Sequence, residues 1–265
     1  DLTYPLHAVR ARGIRATLKD LQVPIQARYF AFPRLQVVYA GLPKAAISSV
    51  LETLRFLETG ERLPAELATD NARYWNEVGG LFEVPQDAAV GDTYAKSLFF
   101  SVVREPGSRV RSAFFDKIAR PRGAGDPESS RRYLVPRAAR RDVAGFTRWL
   151  ADDARAPFLN AHWYPQTSLL RNVWYRLDSV SRLEDLQGSP MTALSEWLGQ
   201  EVRLALNAPH ATDMGGSEIP SVADARALRD RLPAAYLGDL HLWQRLHSSE
   251  TRASCSCALG IHPGH

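Results

Sequence analysis

The chain has little cysteine, little lysine and no long apolar run, and each shortage excludes something. Cysteine occurs twice in 265 residues, at Cys255 and Cys257. A C-x-C pair is too tight for an unstrained bridge, and two cysteines are too few for a disulfide framework. Both lie in the terminal stretch RASCSCALGIHPGH, near His262 and His265. Those are metal-ligating residue types, but the stretch reads as a flexible tail, so no metal site is expected. No apolar run approaches the length of a membrane span, and no signal-peptide pattern stands near the start. The chain opens at Asp1 rather than Met, which leaves an earlier leader or anchor open. Lysine appears only at Lys19, Lys44, Lys96 and Lys117; arginine supplies the rest of the positive charge. An Arg- and Ala-rich, Lys-poor chain fits a GC-rich bacterial genome. The net charge of +4 suits an anionic ligand. No basic repeat interleaved with aromatics is present, so nucleic acid is not an expected partner.

What is present is a hydrophobic content of 45%, enough to bury a sizeable core. The pattern divides the chain into an N-terminal extension over 1–33, one domain over 34–250 and a flexible tail over 251–265. Buried strands are predicted at 35–40 and 97–103, a further strand at 173–177 and a short extended piece at 180–183. Helices are predicted at 45–58, from Pro106 to about 119, at 143–154, at 191–198 and at 222–246 with a break at Pro233. A weaker helix is read at 8–21 and another at 71–78. The segment 120–141, rich in Gly, Pro, Ser and Arg, reads as a loop. Strands alternating with helices predict an α/β fold: a central parallel sheet flanked by helices in three layers, with ligands at the carboxyl ends of the strands.

Two strand–turn–helix units carry the chemistry. In VVYAGLPKAAISSV an apolar strand breaks at Gly41, passes Pro43 and Lys44, and enters a helix near Ser48 and Ser49. Helix-start N–H groups and the helix dipole attract an anion, the lysine adds a point charge, and the serines add hydroxyl donors. The nucleotide-binding pattern G-x-x-x-x-G-K-[ST] is not matched, because no second glycine precedes the lysine. In SVVREPGSRVRSAFFDKI a second buried strand ends at Arg104 and turns through Pro106 into a helix bearing Ser112. An arginine fork matches a phosphate, and a serine can complete the grip. Two anion sites suggest a ligand with phosphates at both ends of a ribose.

These two units, in this order, resemble the nucleotide-binding motifs of the sulfotransferases, and most nearly the carbohydrate (Golgi-type) sulfotransferases and their bacterial relatives. NAHWYPQTSLL is similar to that family's H-W-x-P-Q segment, and YRLDSVSRLEDL to a strand ending in a Glu-x-Leu turn. Asn207 and YLGDLHLWQRL fit its last segment, so the likeness runs over roughly 35–247. The resemblance implies a P-loop-like fold and transfer of a sulfuryl group from 3′-phosphoadenosine 5′-phosphosulfate to a hydroxyl or amine of an acceptor, a carbohydrate or glycoconjugate. Pro43, Lys44, Ala45, Ala46, Ile47, Ser48 and Ser49 would bind the 5′-phosphosulfate, and Arg104 and Ser112 the 3′-phosphate. No metal is required by that chemistry. The Golgi-type proteins usually have threonine at the place of Ser48 and cysteines at the places of Ile47 and of Leu169 or Leu170; the missing cysteines fit a bacterial cytoplasmic protein rather than a lumenal one.

Lys44 would be the catalytic cation and His162 the general base, with Glu77 and Glu83 as rivals, since the region after the first helix lines the acceptor cleft in such enzymes. Glu184 is expected to organise the turn after its strand, and His210 and His241 are read as structural. Trp75, Trp163 and Trp174 are candidates to stack on an acceptor or to fill the core. A lipid-linked glycan acceptor would imply peripheral membrane association. Two other readings stand beside this one. A P-loop-type nucleotide kinase would need a Gly-Lys-Ser/Thr loop and an aspartate after a strand. A non-catalytic sulfotransferase-like binding protein would keep the fold without turnover.

Overall fold

The computed structural model describes residues 27–62, 74, 80–119, 135–186, 189–204 and 232–247. The helices read at 8–21 and 71–78, the tail with its two cysteines, and most of the loop read at 120–141 fall outside them, apart from Tyr74 and residues 135–141. The sheet has five strands: β1 (Arg28–Phe32), β2 (Val37–Gly41), β3 (Glu83–Val84), β4 (Leu98–Val103) and β5 (Ser179–Arg182), in the order β3-β1-β2-β4-β5. β2, β4 and β5 run parallel, with Val37 opposite Leu98 and Val103 opposite Arg182. Every residue of β2 and β4 is buried. Continuous apolar strands such as VVYAG and LFFSVV are what a sheet covered on both faces demands.

Helices supply that cover. α1 (Ile47–Thr59) sets Val50, Leu51 and Leu54 on one face, against Phe30, Tyr39 and Phe100 of the sheet. α5 (Leu183–Leu186) and α6 (Thr192–Leu198) join the same layer through Leu183, Leu186 and Leu194. The other face, with Val38, Ala40 and Phe99, packs on Leu169 and Leu170 of α4 (Gln166–Leu170) and on Leu242 of α7 (Leu237–His247). A third apolar cluster joins α2 (Pro106–Phe114) and α3 (Val143–Asp152) to Trp163 and Tyr236. The result is the expected three-layer arrangement, with parallel strands at its centre.

Two expectations change. The boundary at residue 34 is wrong: Arg28–Phe32 of the supposed extension is β1, paired antiparallel with β2 from Arg28 opposite Gly41 to Phe32 opposite Val37. Four of its five residues are buried, and β3 pairs with its outer side. The strand read at 173–177 is also absent. Trp174–Arg176 forms a 3-10 turn that delivers the chain to β5. Val173 and Leu177 are apolar because they pack against the sheet, not because they join it. Among the described residues, no helix is long and apolar enough to cross a membrane.

Candidate active site

The carboxyl ends of β2, β4 and β5 lie side by side, where open α/β sheets place their ligands. β2 delivers Gly41, and a side chain there would collide: a Cβ would stand 2.6 Å from Ile47 Cδ1 and 2.9 Å from Phe30 Cε2. The turn that follows is tight. Lys44 and Ala46 both hold left-handed backbone, with φ of 68° and 58°. Non-glycine residues rarely accept that conformation, which clusters where a backbone must be held for function. These two residues do the bending that a second glycine performs in an ordinary phosphate loop.

α1 therefore starts from Ala46, with no side chain capping it. The first N–H groups of a helix have no partner within the helix, so the amides of the first turn are available to an anion. Ser48 and Ser49 stand half-buried in that turn. Lys44, beside it, forms an ion pair with Asp116, Nζ to Oδ2 2.8 Å, and Asp116 also meets Lys117 at 3.2 Å. Burial pushes the Lys44 ammonium down from the ordinary lysine value, and Asp116 opposes the shift. Burial would raise the Asp116 carboxyl, but Lys44 and Lys117 outweigh it and hold the group well below the usual carboxylate range.

β4 delivers Arg104, whose backbone is clamped by one side chain: Gln166 Oε1 accepts its N–H at 2.9 Å and Gln166 Nε2 donates to its carbonyl at 2.8 Å. Arg104 Nη1 reaches the Lys44 carbonyl at 3.3 Å, so the two motifs found in the sequence meet. α2 begins differently from α1. Glu105 caps it, accepting from Gly107 N at 3.0 Å and Ser108 N at 2.5 Å. The start of α2 is thus closed to an outside anion by its own carboxylate, and a second anion must rely on side chains such as Arg104. Ser112 sits half-buried on α2.

Glu184, just after β5, ties its segment to two neighbours rather than bonding within its own turn: its oxygens accept from Glu105 N at 2.9 Å and Trp243 Nε1 at 3.1 Å. His162 is held by Asn160 Oδ1, which takes the backbone N–H at 2.9 Å and lies 2.7 Å from ring Nδ1. An amide oxygen only accepts, so Nδ1 carries the proton and, in the neutral ring, Nε2 carries the lone pair. Glu83 lies on edge strand β3, with its two oxygens 2.8 and 2.5 Å from Arg28 nitrogens. Glu77, Trp75 and His210 lie outside the described residues. Trp163 is core: it is fully buried, donates to the Ala156 carbonyl at 2.9 Å and packs edge-on against Phe146. His241 is exposed on α7, not a structural histidine.

Three residues that organise the site are not singled out by the sequence reading. Arg109, 1% exposed, donates to the carbonyls of Pro43, Tyr164 and Ala161 at 2.9, 2.7 and 2.9 Å. Asp239 of α7 accepts from Gln166 N, Thr167 N and Thr167 Oγ1 at 2.7, 2.8 and 2.7 Å, and so fixes the helix that presents Gln166. Asp116 sits in plain view within FFDKI, four residues after Ser112 and one helical turn along, a spacing that could have flagged it.

The profile of the sulfotransferase family matches residues 27–230, which begins at β1 rather than after it. Carbohydrate sulfotransferase 8 of Mus musculus is 27% identical over 174 residues, and that of Homo sapiens 26%. These alignments cover 61% of this chain, and 41% and 40% of the two relatives, so the chain spans about two fifths of their length. No solved structure matches significantly.

Proposed function

The chain belongs to the sulfotransferase family, and on that premise we propose that it transfers a sulfuryl group from 3′-phosphoadenosine 5′-phosphosulfate to a carbohydrate hydroxyl or amine. The observation that carries this is the contact of Arg104 with the Lys44 carbonyl, which brings two cationic motifs together at the carboxyl ends of β2 and β4. The residues fit the donor. An uncapped helix start with Lys44 suits the 5′-phosphosulfate, and Arg104 with Ser112 suits the 3′-phosphate. Pro43, Ala45, Ala46 and Ile47 shape the turn, and Ser48 and Ser49 offer hydroxyls within it. The donor supplies the sulfuryl group with a phosphate as its leaving group.

Lys44 neutralises charge gathering on the sulfuryl oxygens and the departing phosphate, and an oriented charge of this kind is worth ~3–4 kcal/mol in a transition state. Arg104 selects a 3′-phosphate, which distinguishes the donor from ATP. His162 accepts the acceptor's proton at Nε2, while Asn160 holds the opposite nitrogen. Glu83 is the weaker candidate because Arg28 occupies its carboxylate. The carbohydrate acceptor rests on the relatives' names. A bacterial cytoplasmic setting rests on composition and on Ile47, Leu169 and Leu170 standing where Golgi-type proteins have cysteine.

The test is transfer of radiolabelled sulfate from the donor to a panel of glycans and glycolipids, by wild type and His162→Ala. Transfer to one acceptor class, reduced roughly 10²–10⁴-fold in the variant, is expected. Unchanged turnover in His162→Ala would remove the base assignment. Transfer of a phosphoryl group from ATP instead would restore the kinase reading. A chain that binds the donor and transfers to nothing would be the non-catalytic binding protein.

A further inference from the structure

Asp116 has no place in the roles assigned so far. It lies on the π-helical turn Phe115–Ala119 that continues α2 beyond Ser112. Single π turns recur at functional sites because they break the regular bond pattern of a helix and redirect its side chains. Here the turn faces the Lys44 ammonium with a carboxylate at 2.8 Å, and the two side chains are 17% and 14% exposed. A carboxylate beside an anion-binding turn repels the ligand that the rest of the turn attracts. Its position there calls for a compensating use, and Lys44 supplies one. Burial, Lys117 and Arg104 all drive Lys44 toward the neutral amine, which would be useless as a charge donor; Asp116 opposes them.

We propose that Asp116 is the positioning residue of Lys44, holding its ammonium charged and aimed at the mouth of the turn between β2 and α1 until Lys44 exchanges that partner for the donor's phosphosulfate. This rests on Lys44 being the lysine that meets the donor. Lys44 is then protonated before the donor arrives and needs no proton uptake on binding. Among the described residues, the charged groups facing Lys44 are Asp116 and Lys117 of the π turn and Arg104 at the end of β4. The titration of Lys44 therefore reports the pairing directly.

The scarcity of lysine makes the test practicable. Protein labelled with 13C at lysine Cε gives signals from Lys19, Lys44, Lys96 and Lys117 only, and Lys44→Arg identifies the one of interest. The Lys44 signal is followed against pH in wild type, Asp116→Asn and Asp116→Glu, and each protein is titrated calorimetrically with adenosine 3′,5′-bisphosphate. Asp116→Asn is expected to lower the Lys44 midpoint by about one pH unit or more, and Asp116→Glu to restore most of it. Bisphosphate binding by Asp116→Asn is expected to fall off on the alkaline side at a lower pH than in wild type, and Asp116→Glu to restore most of that range. A purely structural role would not move the midpoint in this paired fashion. A midpoint unmoved in Asp116→Asn, with binding intact, overturns the role of Asp116 and leaves the donor site standing. Should Asp116→Asn not fold, wild type alone decides: saturating bisphosphate must shift the Lys44 signal, and an unmoved signal overturns the exchange of partners. Failure of wild type to bind the bisphosphate overturns the reading of Lys44 itself.

Discussion

Arg109 Nε donates to the Pro43 carbonyl at 2.9 Å, which ties α2 to the turn that carries Lys44. The other nitrogens of the same guanidinium donate to Ala161 and Tyr164, on either side of His162. One buried cation thus fixes the Lys44 turn and the His162 loop relative to each other. Burial lowers its pKa to about 10, and the charge of Asp239 resists that shift.

Lysine cannot replace this fork, because an ammonium is a point donor and cannot hold three carbonyls set by a planar group. Arg109→Lys should cost roughly 2–4 kcal/mol in urea unfolding, as carbonyls lose their buried partner. Affinity for adenosine 3′,5′-bisphosphate should fall with it. A variant as stable as wild type would show that the three bonds are dispensable.

Gly41 is fixed by space rather than by backbone angle. Gly41→Ala sets a methyl against Ile47 and Phe30 at under 3 Å, and overpacking of this kind costs about 1–3 kcal/mol. Gly41→Ala combined with Ile47→Ala should recover part of that loss, since two of the close atoms belong to Ile47. Additive losses in thermal or urea unfolding would contradict the steric account.

The depressed carboxyl of Asp116 makes a signed prediction for stability against pH. Its folded value lies below the unfolded one, so the contribution is complete above about pH 4, the unfolded aspartate value, and is lost as pH falls below it. Asp116→Asn should remove that part of the acid-side slope. An unchanged slope would mean that the pair with Lys44 does not persist in solution. Lys44 has the opposite consequence: its lowered value implies that donor binding fails on the alkaline side before an ordinary lysine would lose its proton, near pH 10.4.

The central strands and the cationic motifs were legible because one physical cause wrote each of them. Burial on both faces makes VVYAG and LFFSVV continuously apolar, and Pro106 marks a helix start where its missing N–H does no harm. β1 was missed because RYFAF joins the sheet antiparallel, outside the strand–helix alternation that located its neighbours. Val-Trp-Tyr-Arg-Leu misled because a stretch rich in Val and aromatic residues looks alike whether it pairs in a sheet or packs on one. β5 itself reads SVSR, with buried and half-buried positions alternating beside the fully apolar β4. Within the site, Lys44 and Arg104 stood at strand ends and could be found by position. Gln166 and Asp239 are 73 residues apart, and nothing local in either segment announces the other. Arg109 and Asp116 lay in a quoted motif, but only the fold shows that one is sealed against three carbonyls and the other turned toward a lysine.

The most direct measurement is calorimetric titration with adenosine 3′,5′-bisphosphate and, separately, ATP, for wild type and Arg104→Ala. The account predicts micromolar binding of the bisphosphate by wild type, much weaker binding of ATP, and a loss of roughly 1.5–3 kcal/mol in Arg104→Ala, the worth of a hydrogen bond to a charged group. ATP binding as tight as the bisphosphate, or a bisphosphate affinity indifferent to Arg104, would contradict it.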